Sequence, residues 1–186
     1  SDADDYTRML LAHAMRPLDA AIARIDTTPT RDLGALAGDR FLAIDDTDAI
    51  AVWSLDGTLL ERIDGDGRTV AIAQDGTRFA FQRETALEVV RASDLTRLAK
   101  LEVGELEVAA TTLAPDGSRV YAVLGGRGKP TELVAWSVAG GPPQRLVLDV
   151  AFDGVASVAV LATGVVYVQT QEDGVRMVTA ELTTAT

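Results

Sequence analysis

Carboxylates dominate the chemistry open to this chain. Its 186 residues include 28 Asp and Glu against 17 Lys and Arg, with one His and no Cys. Without Cys there is no thiolate nucleophile, no disulfide and no Cys-ligated zinc site. A single His, His13, removes every multi-His metal site. Any Ser–His–Asp unit would depend on that one imidazole, and no Gly-x-Ser-x-Gly nucleophile elbow occurs. Acid–base chemistry of the glycosidase kind needs two carboxyl groups at a defined separation, and no spacing singles out a pair. A net charge of −11 and a pI near 4.4 argue against a phosphate backbone as the main partner.

The acids come in clusters. Asp45, Asp46 and Asp48 form one, Asp64 and Asp66 a second, and Glu84, Glu105, Glu172 and Asp173 follow singly or in pairs. Arg68, Arg83, Arg127 and Lys129 partly offset them. An acidic surface attracts a basic partner or a cation; the plainer reading is turn-forming Asp in water. Asp64-Gly65-Asp66-Gly67 begins like a calcium loop. The pattern then fails, with Arg68 at the fifth position and Thr69 where Gly is needed, so it reads as a turn. Gly125-Gly126-Arg127-Gly128-Lys129 lacks P-loop spacing and no helical pattern follows. It reads as a long hairpin loop. Neither motif implies a cofactor or a metal.

These residues hang on two kinds of element. Residues 2–25 read as a helix, since Tyr6, Met9, Leu10, Ala14, Leu18, Ala21, Ile22 and Ile25 recur at three- and four-residue steps. Early Asp and later Arg suit its dipole, and Pro17 kinks it or splits it. His13 sits there beside Met9 and Leu10, as a packing or surface residue. No apolar run is long enough for a membrane span, and the acidic first residues do not resemble a signal peptide. Compartment stays open, with the cytoplasm favoured over secretion. After residue 31 the helical period disappears. Expected strands are 33–37, 40–44, 49–54, 58–63, 69–73, 78–82, 86–91, 96–103, 108–113, 119–124, 132–138, 144–150, 155–161, 165–169 and 175–182, separated by Asp-Gly, Gly-Gly and Pro-Pro. The fold class is all-β with an N-terminal helical segment.

The strands repeat in fours. Ala73-Gln74-Asp75-Gly76-Thr77-Arg78-Phe79-Ala80 lies over Ala114-Pro115-Asp116-Gly117-Ser118-Arg119-Val120-Tyr121 at an offset of 41. Ala37-Gly38-Asp39-Arg40-Phe41-Leu42 is a weaker copy. In a second register, Ile50-Ala51-Val52-Trp53-Ser54-Leu55 lies over Leu133-Val134-Ala135-Trp136-Ser137-Val138. Equivalent positions 53, 90, 136 and 178 are spaced 37, 46 and 42 apart. A period near 40 with four strands per unit is that of a propeller blade.

The Asp-Gly-Ser/Thr-Arg turn leading into a strand, with a later strand ending in Val-Trp or Ala-Trp, resembles WD-repeat and related bacterial β-propellers over residues 31–186. Gly-His is absent and Trp-Asp becomes Trp53-Ser54 and Trp136-Ser137, so the family's Asp–His–Ser/Thr–Trp network is missing. The resemblance implies four blades, near 31–66, 67–104, 105–150 and 151–186, behind a helix and linker in 1–30. It also places the loops joining the second and third strands of each blade, and the links from one blade to the next, on one rim. Asp45, Asp46, Asp48, Asp64, Asp66 and Glu84 then form an acidic rim. Trp53 and Trp136, at equivalent positions, are expected to pack between blades rather than stack a ligand. Four blades are few for this family. Closure is expected as a small ring, by pairing with a second copy, or within a longer protein, and the helix of 2–25 is one cover for an exposed face. The leading functional expectation is a non-catalytic protein-interaction or sensor module whose partner is a protein or a second copy of itself, with no nucleic acid and no membrane. An enzyme or ligand-binding propeller with a rim site, and an accessory fragment of a larger regulator, are the alternatives.

Overall fold

The computed structural model describes residues 30–161, 166–170 and 174–178. The helix expected over 2–25, with His13, lies outside the described residues, as do Glu172 and Asp173. The described residues contain fifteen strands and no α-helix. Sheet one is β1 (Thr30–Leu36), β2 (Arg40–Asp45), β3 (Ile50–Ser54) and β4 (Leu59–Ile63). Sheet two is β5 (Asp66–Ile72), β6 (Arg78–Arg83), β7 (Ala86–Arg91) and β8 (Arg97–Glu102). Sheet three is β9 (Glu107–Leu113), β10 (Arg119–Gly125), β11 (Thr131–Ser137) and β12 (Gln144–Leu148). Sheet four is β13 (Val155–Val160), β14 (Val166–Thr170) and β15 (Gly174–Val178). Each is an antiparallel meander in chain order.

Strand ends lie close to the sequence reading. The clearest difference is β5, which starts at Asp66 rather than Thr69. Its register breaks between Asp66 and Ala71. There the Thr69 hydroxyl donates to Asp66 O at 2.8 Å and accepts from Gln82 N at 2.8 Å. A side chain thus supplies the missing rung of the ladder.

The first turn of the second and third sheets is built by one device. Asp75 Oδ1 accepts from Thr77 N at 2.9 Å and Thr77 Oγ1 at 2.7 Å. Asp116 Oδ1 does the same with Ser118 N and Oγ, at 2.9 and 2.7 Å. The next residue must turn left-handed, and Gly76 and Gly117 do so at φ +66° and +65°. The backbone N–H donors, and the hydroxyls behind them, hold both carboxyls below their ordinary pKa.

The middle strands are buried on both sides. In β7 every residue but Arg91 is buried, and in β10 every residue but Arg119. That explains why their sequences are nearly continuous apolar runs rather than alternating ones. Leu42, Ile44, Ile50 and Val52 of sheet one pack on Phe79, Phe81 and Val90 of sheet two. Leu87, Val89 and Leu101 of sheet two pack on Val120, Leu124, Val134 and Trp136 of sheet three. Tyr121, Val123 and Leu133 of sheet three pack on Val158, Val166 and Val168 of sheet four. Among the described residues no core cluster joins sheet four to sheet one. The described residues therefore form an arc of stacked sheets.

Arginines clasp successive sheets. Arg40 Nη1 donates to Ala92 O of sheet two at 2.5 Å, and Arg78 Nη1 to Gly117 O of sheet three at 2.8 Å. Both stand at the start of a second strand. Arg119, the next copy, is exposed.

Candidate functional site

The β2–β3 turn, the β4–β5 link and the β6–β7 turn meet at one end of the first junction. They surround an open cavity of about 600 Å³. Of the six rim carboxylates expected from sequence, Asp48, Asp64, Asp66 and Glu84 line it, beside Arg68 and Arg83. Asp45 and Asp46 do not. Asp45 Oδ1 accepts from Thr47 N, Thr47 Oγ1 and Ala49 N at 2.9, 2.6 and 3.0 Å, so that carboxylate is spent on building its turn. Asp46 projects into solvent from the same turn.

The four lining carboxylates are not alike. Asp48 has φ +66°, and its carbonyl accepts from Gly67 N at 3.0 Å across the junction. Its carboxylate is paired with Arg31 and stands 3.4 Å from Arg68 Nε. Asp66 takes Arg68 N at 3.0 Å, Nε at 3.1 Å and Nη2 at 3.2 Å. The Asp66 and Asp48 carboxylates together raise the pKa of that guanidinium. Asp64 and Glu84 make no ion pair among the described residues, and both are exposed. The cavity therefore carries two committed and two uncommitted carboxylates. The calcium-like start at Asp64 is not realised, because Asp66 faces a guanidinium. Among the described residues, no three acids or His converge as metal ligands.

One participant was not foreseen. Glu88, in the middle of β7, is 5% exposed. It takes Arg83 Nη1 at 3.3 Å and Arg97 Nη1 at 3.2 Å. Arg83 also lies over the Phe81 ring at 5.4 Å and donates Nε to Asp64 O at 2.5 Å. A buried carboxylate thus anchors the arginine that holds the β4–β5 link. Its sequence signal is an acid inside Ala86-Leu87-Glu88-Val89-Val90, a run that is otherwise apolar.

The glycine-rich loop after β10 borders a second open cavity of about 740 Å³, with Phe152 and Asp153 on the far side. A Cβ on Gly125 would stand 2.4 Å from Phe152 Cδ2, which is why a glycine closes that strand. Lys129 lies 3.5 Å from Glu105 across the loop.

The two Trp part company. Trp136 is buried between sheets two and three, in the inter-blade packing expected of it. Trp53 pairs with Phe41 across β2 and β3, on the face of sheet one turned away from sheet two. That face also carries Leu33, Ala35, Ala43, Ala51 and Leu59, and among the described residues no core cluster covers it. The expectation for Trp53 therefore lacks its second blade. The Trp53 indole Nε1 is shielded and finds no acceptor.

No family model matches the chain, and no curated protein matches its sequence. Solved structures do. The β-propeller domain of Myceliophteria thermophila Cps50 (Swd1) superposes with a TM-score of 0.63 at 13% identity, over 86% of this chain and 55% of that one. The described residues have the β-propeller fold, as an arc of stacked blades. The WD40 β-propeller domain of Doa1 gives 0.59 at 20% identity, over 80% of this chain and 50% of that one. At such identities the likeness establishes the fold, and the arc spans about half the length of these propellers.

Proposed function

We propose that this propeller arc is a non-catalytic protein-interaction module that docks through the outer face of sheet one, and that a second copy of the chain is the partner that completes the ring. One observation carries the reading. Sheet one has two apolar faces and, among the described residues, a sheet packed on only one of them. On the other, Leu33 is 37% and Leu59 38% exposed, beside half-buried Phe41, Ala51 and Trp53. A contiguous apolar sheet face in water is an interaction surface. Because the arc spans about half of the propellers it matches, two copies supply one ring. A two-fold dimer then makes the contact between sheet one and sheet four twice. The outward face of sheet four presents Ala159 and Tyr167, with Ser157 Oγ donating to Gln169 Oε1 at 3.0 Å. That bond pairs the Ser157 hydroxyl with the Gln169 carbonyl, and the Gln169 amide N–H groups need an acceptor across the interface.

Sedimentation equilibrium tests this. The chain is expected to dimerise, and Leu33→Glu with Leu59→Glu to return it to a monomer of unchanged secondary structure. A wild-type chain that stays monomeric throughout the accessible concentration range refutes the reading.

The rim favours a second contact, because Asp64 and Glu84 stand uncommitted beside a cavity. A Lys or Arg side chain of a protein partner fits that chemistry. Asp64→Asn with Glu84→Gln is expected to weaken binding of a Lys-rich peptide, and unchanged binding counts against the rim.

A further inference from the structure

We infer that, if the outer face of sheet one docks a second copy as just proposed, it does so as one blade docks on another, in the register of this chain's own junctions, with Gly38 and Leu55 forming the socket. The chain contains two finished examples of such a junction. Between sheets one and two, a Cβ on Gly76 would stand 2.8 Å from Ala37 N, and Gly76 O accepts from Ala37 N at 2.8 Å. Between sheets two and three, a Cβ on Gly117 would stand 2.8 Å from Arg78 Cδ, and Gly117 O accepts from Arg78 Nη1 at 2.8 Å. In both, the turn glycine of one blade is pressed against the blade before it.

Gly38 stands at the same offset from the second-strand arginine, in a turn two residues shorter where Asp39 also has positive φ, +57°. It precedes Arg40 as Gly76 precedes Arg78 and Gly117 precedes Arg119, and all three have positive φ, +78°, +66° and +65°. Yet a Cβ on Gly38 would meet nothing within 4 Å among the described residues. Leu55 tells the same story. Its N donates to Asp39 O at 2.9 Å, as Ala92 N donates to Thr77 O and Val138 N to Ser118 O, each at 2.9 Å. Ala92 is fully buried, and its carbonyl takes Arg40 of the preceding blade. Leu55 is 41% exposed. Trp53 holds the place that Val90 and Trp136 hold in the covered faces. Turn and corner are thus closed by a preceding blade in the second and third sheets and, among the described residues, open in the first, where the face carries half-buried Trp53 beside buried Ala43.

A general hydrophobic contact would need the face alone. Docking as a blade needs the glycine too, because the incoming backbone or side chain takes the volume that a Cβ would fill. Asn tolerates positive φ. Gly38→Asn therefore adds a side chain where no described residue stands, so it is expected to leave the isolated arc folded and to obstruct an incoming blade. Gly104→Asn is the matched control. Gly104 has φ +74° and nothing within 4 Å, but it lies in a different turn.

The test is the dissociation constant of the full chain by sedimentation equilibrium, with melting temperature as the check on folding. Gly38→Asn is expected to weaken dimerisation about thirtyfold or more, the scale of an unrelieved clash. Gly104→Asn is expected to leave it unchanged. Leu55→Glu is expected to weaken it in any mode of docking on this face. Loss with Leu55→Glu but not with Gly38→Asn keeps the docking surface and overturns docking as a blade. No dimer in the wild type overturns both. If Gly38→Asn melts early, Gly38→Asp reads the same contact with a smaller donor set, and dimerisation by it at wild-type strength overturns the inference.

Discussion

Replacing Arg78 with Ala isolates the energy of one blade junction. Arg78 Nη1 donates to Gly117 O at 2.8 Å in a half-buried setting, and its Cδ underlies Gly117. A hydrogen bond from a charged donor contributes about 1.5–3 kcal/mol, and the partial burial of this one sets the lower half of that range. Loss of the packed stem adds to it, for a total of about 2 kcal/mol. With a urea slope of about 2 kcal/mol/M, the midpoint should fall by about 1 M. Trp136 reports on this junction directly, since it is 5% exposed and packed between sheets two and three. Its fluorescence, read in a Trp53→Phe background, is the assay. Arg119 supplies the control, because it holds the same repeat position but is exposed. Arg119→Ala should shift stability by less than about 0.5 kcal/mol. Arg78→Lys, which keeps stem and charge but has a different donor geometry, should fall between. Equal shifts for Arg78→Ala and Arg119→Ala would refute the claim that the arginine acts as an inter-blade clasp.

Three further outcomes are expected. Gly76→Ala must place a Cβ at φ +66° and 2.8 Å from backbone, so it should cost at least about 2 kcal/mol and lower the melting temperature by several degrees. Glu88→Gln should cost about 1–2 kcal/mol by urea titration, since Arg83 and Arg97 are partly exposed and can turn to water once the pair is broken. The carboxyls of Asp56, Asp75, Asp94 and Asp116 are held below the ordinary aspartate pKa, Asp56 first by the Ser54 hydroxyl and the others first by the backbone N–H of Thr77, Thr96 and Ser118. Their contribution is present above the unfolded pKa of about 3.9 and is lost as pH falls through the lower folded values. Urea midpoints should therefore fall as the pH drops below about 4, and Asp75→Asn with Asp116→Asn should flatten that fall; an unaltered acid limb in the double variant counts against the turn carboxylates.

Much of the fold was legible because blades repeat. The Asp-Gly-Thr/Ser-Arg turn is written twice at an offset of 41, and each residue in it has a local reason, from the Asp carboxylate to the left-handed Gly. The strands were legible from their Val, Ile and Leu runs, which central burial on two faces requires. The start of β5 was not, because the Thr69 hydroxyl replaces a ladder bond there, and a Thr in sequence does not show which atom it will bond. The rim was half legible. Turn loops on one side of a blade must share an edge, and that brought Asp48, Asp64, Asp66 and Glu84 to one cavity. Which carboxylates are spent on their own turns, like Asp45, or on Arg68, like Asp66, depends on distances of a few ångströms that spacing does not encode. Trp53 and Trp136 occupy equivalent positions, yet among the described residues only Trp136 has a blade against it, since position within a repeat says nothing about position within the array.

The three separate cores have a consequence for how this protein comes apart. Among the described residues each sheet packs only on its immediate neighbours, so stability adds along the arc as a row of adjacent couplings rather than through one shared interior. Opening should start at the ends, where a sheet has one neighbour, and spread inward one unit at a time. Amide exchange is then graded, slowest in β7 and β10 and faster toward sheets one and four. Ring closure would supply each end with a second neighbour and turn a fraying row into a cooperative unit.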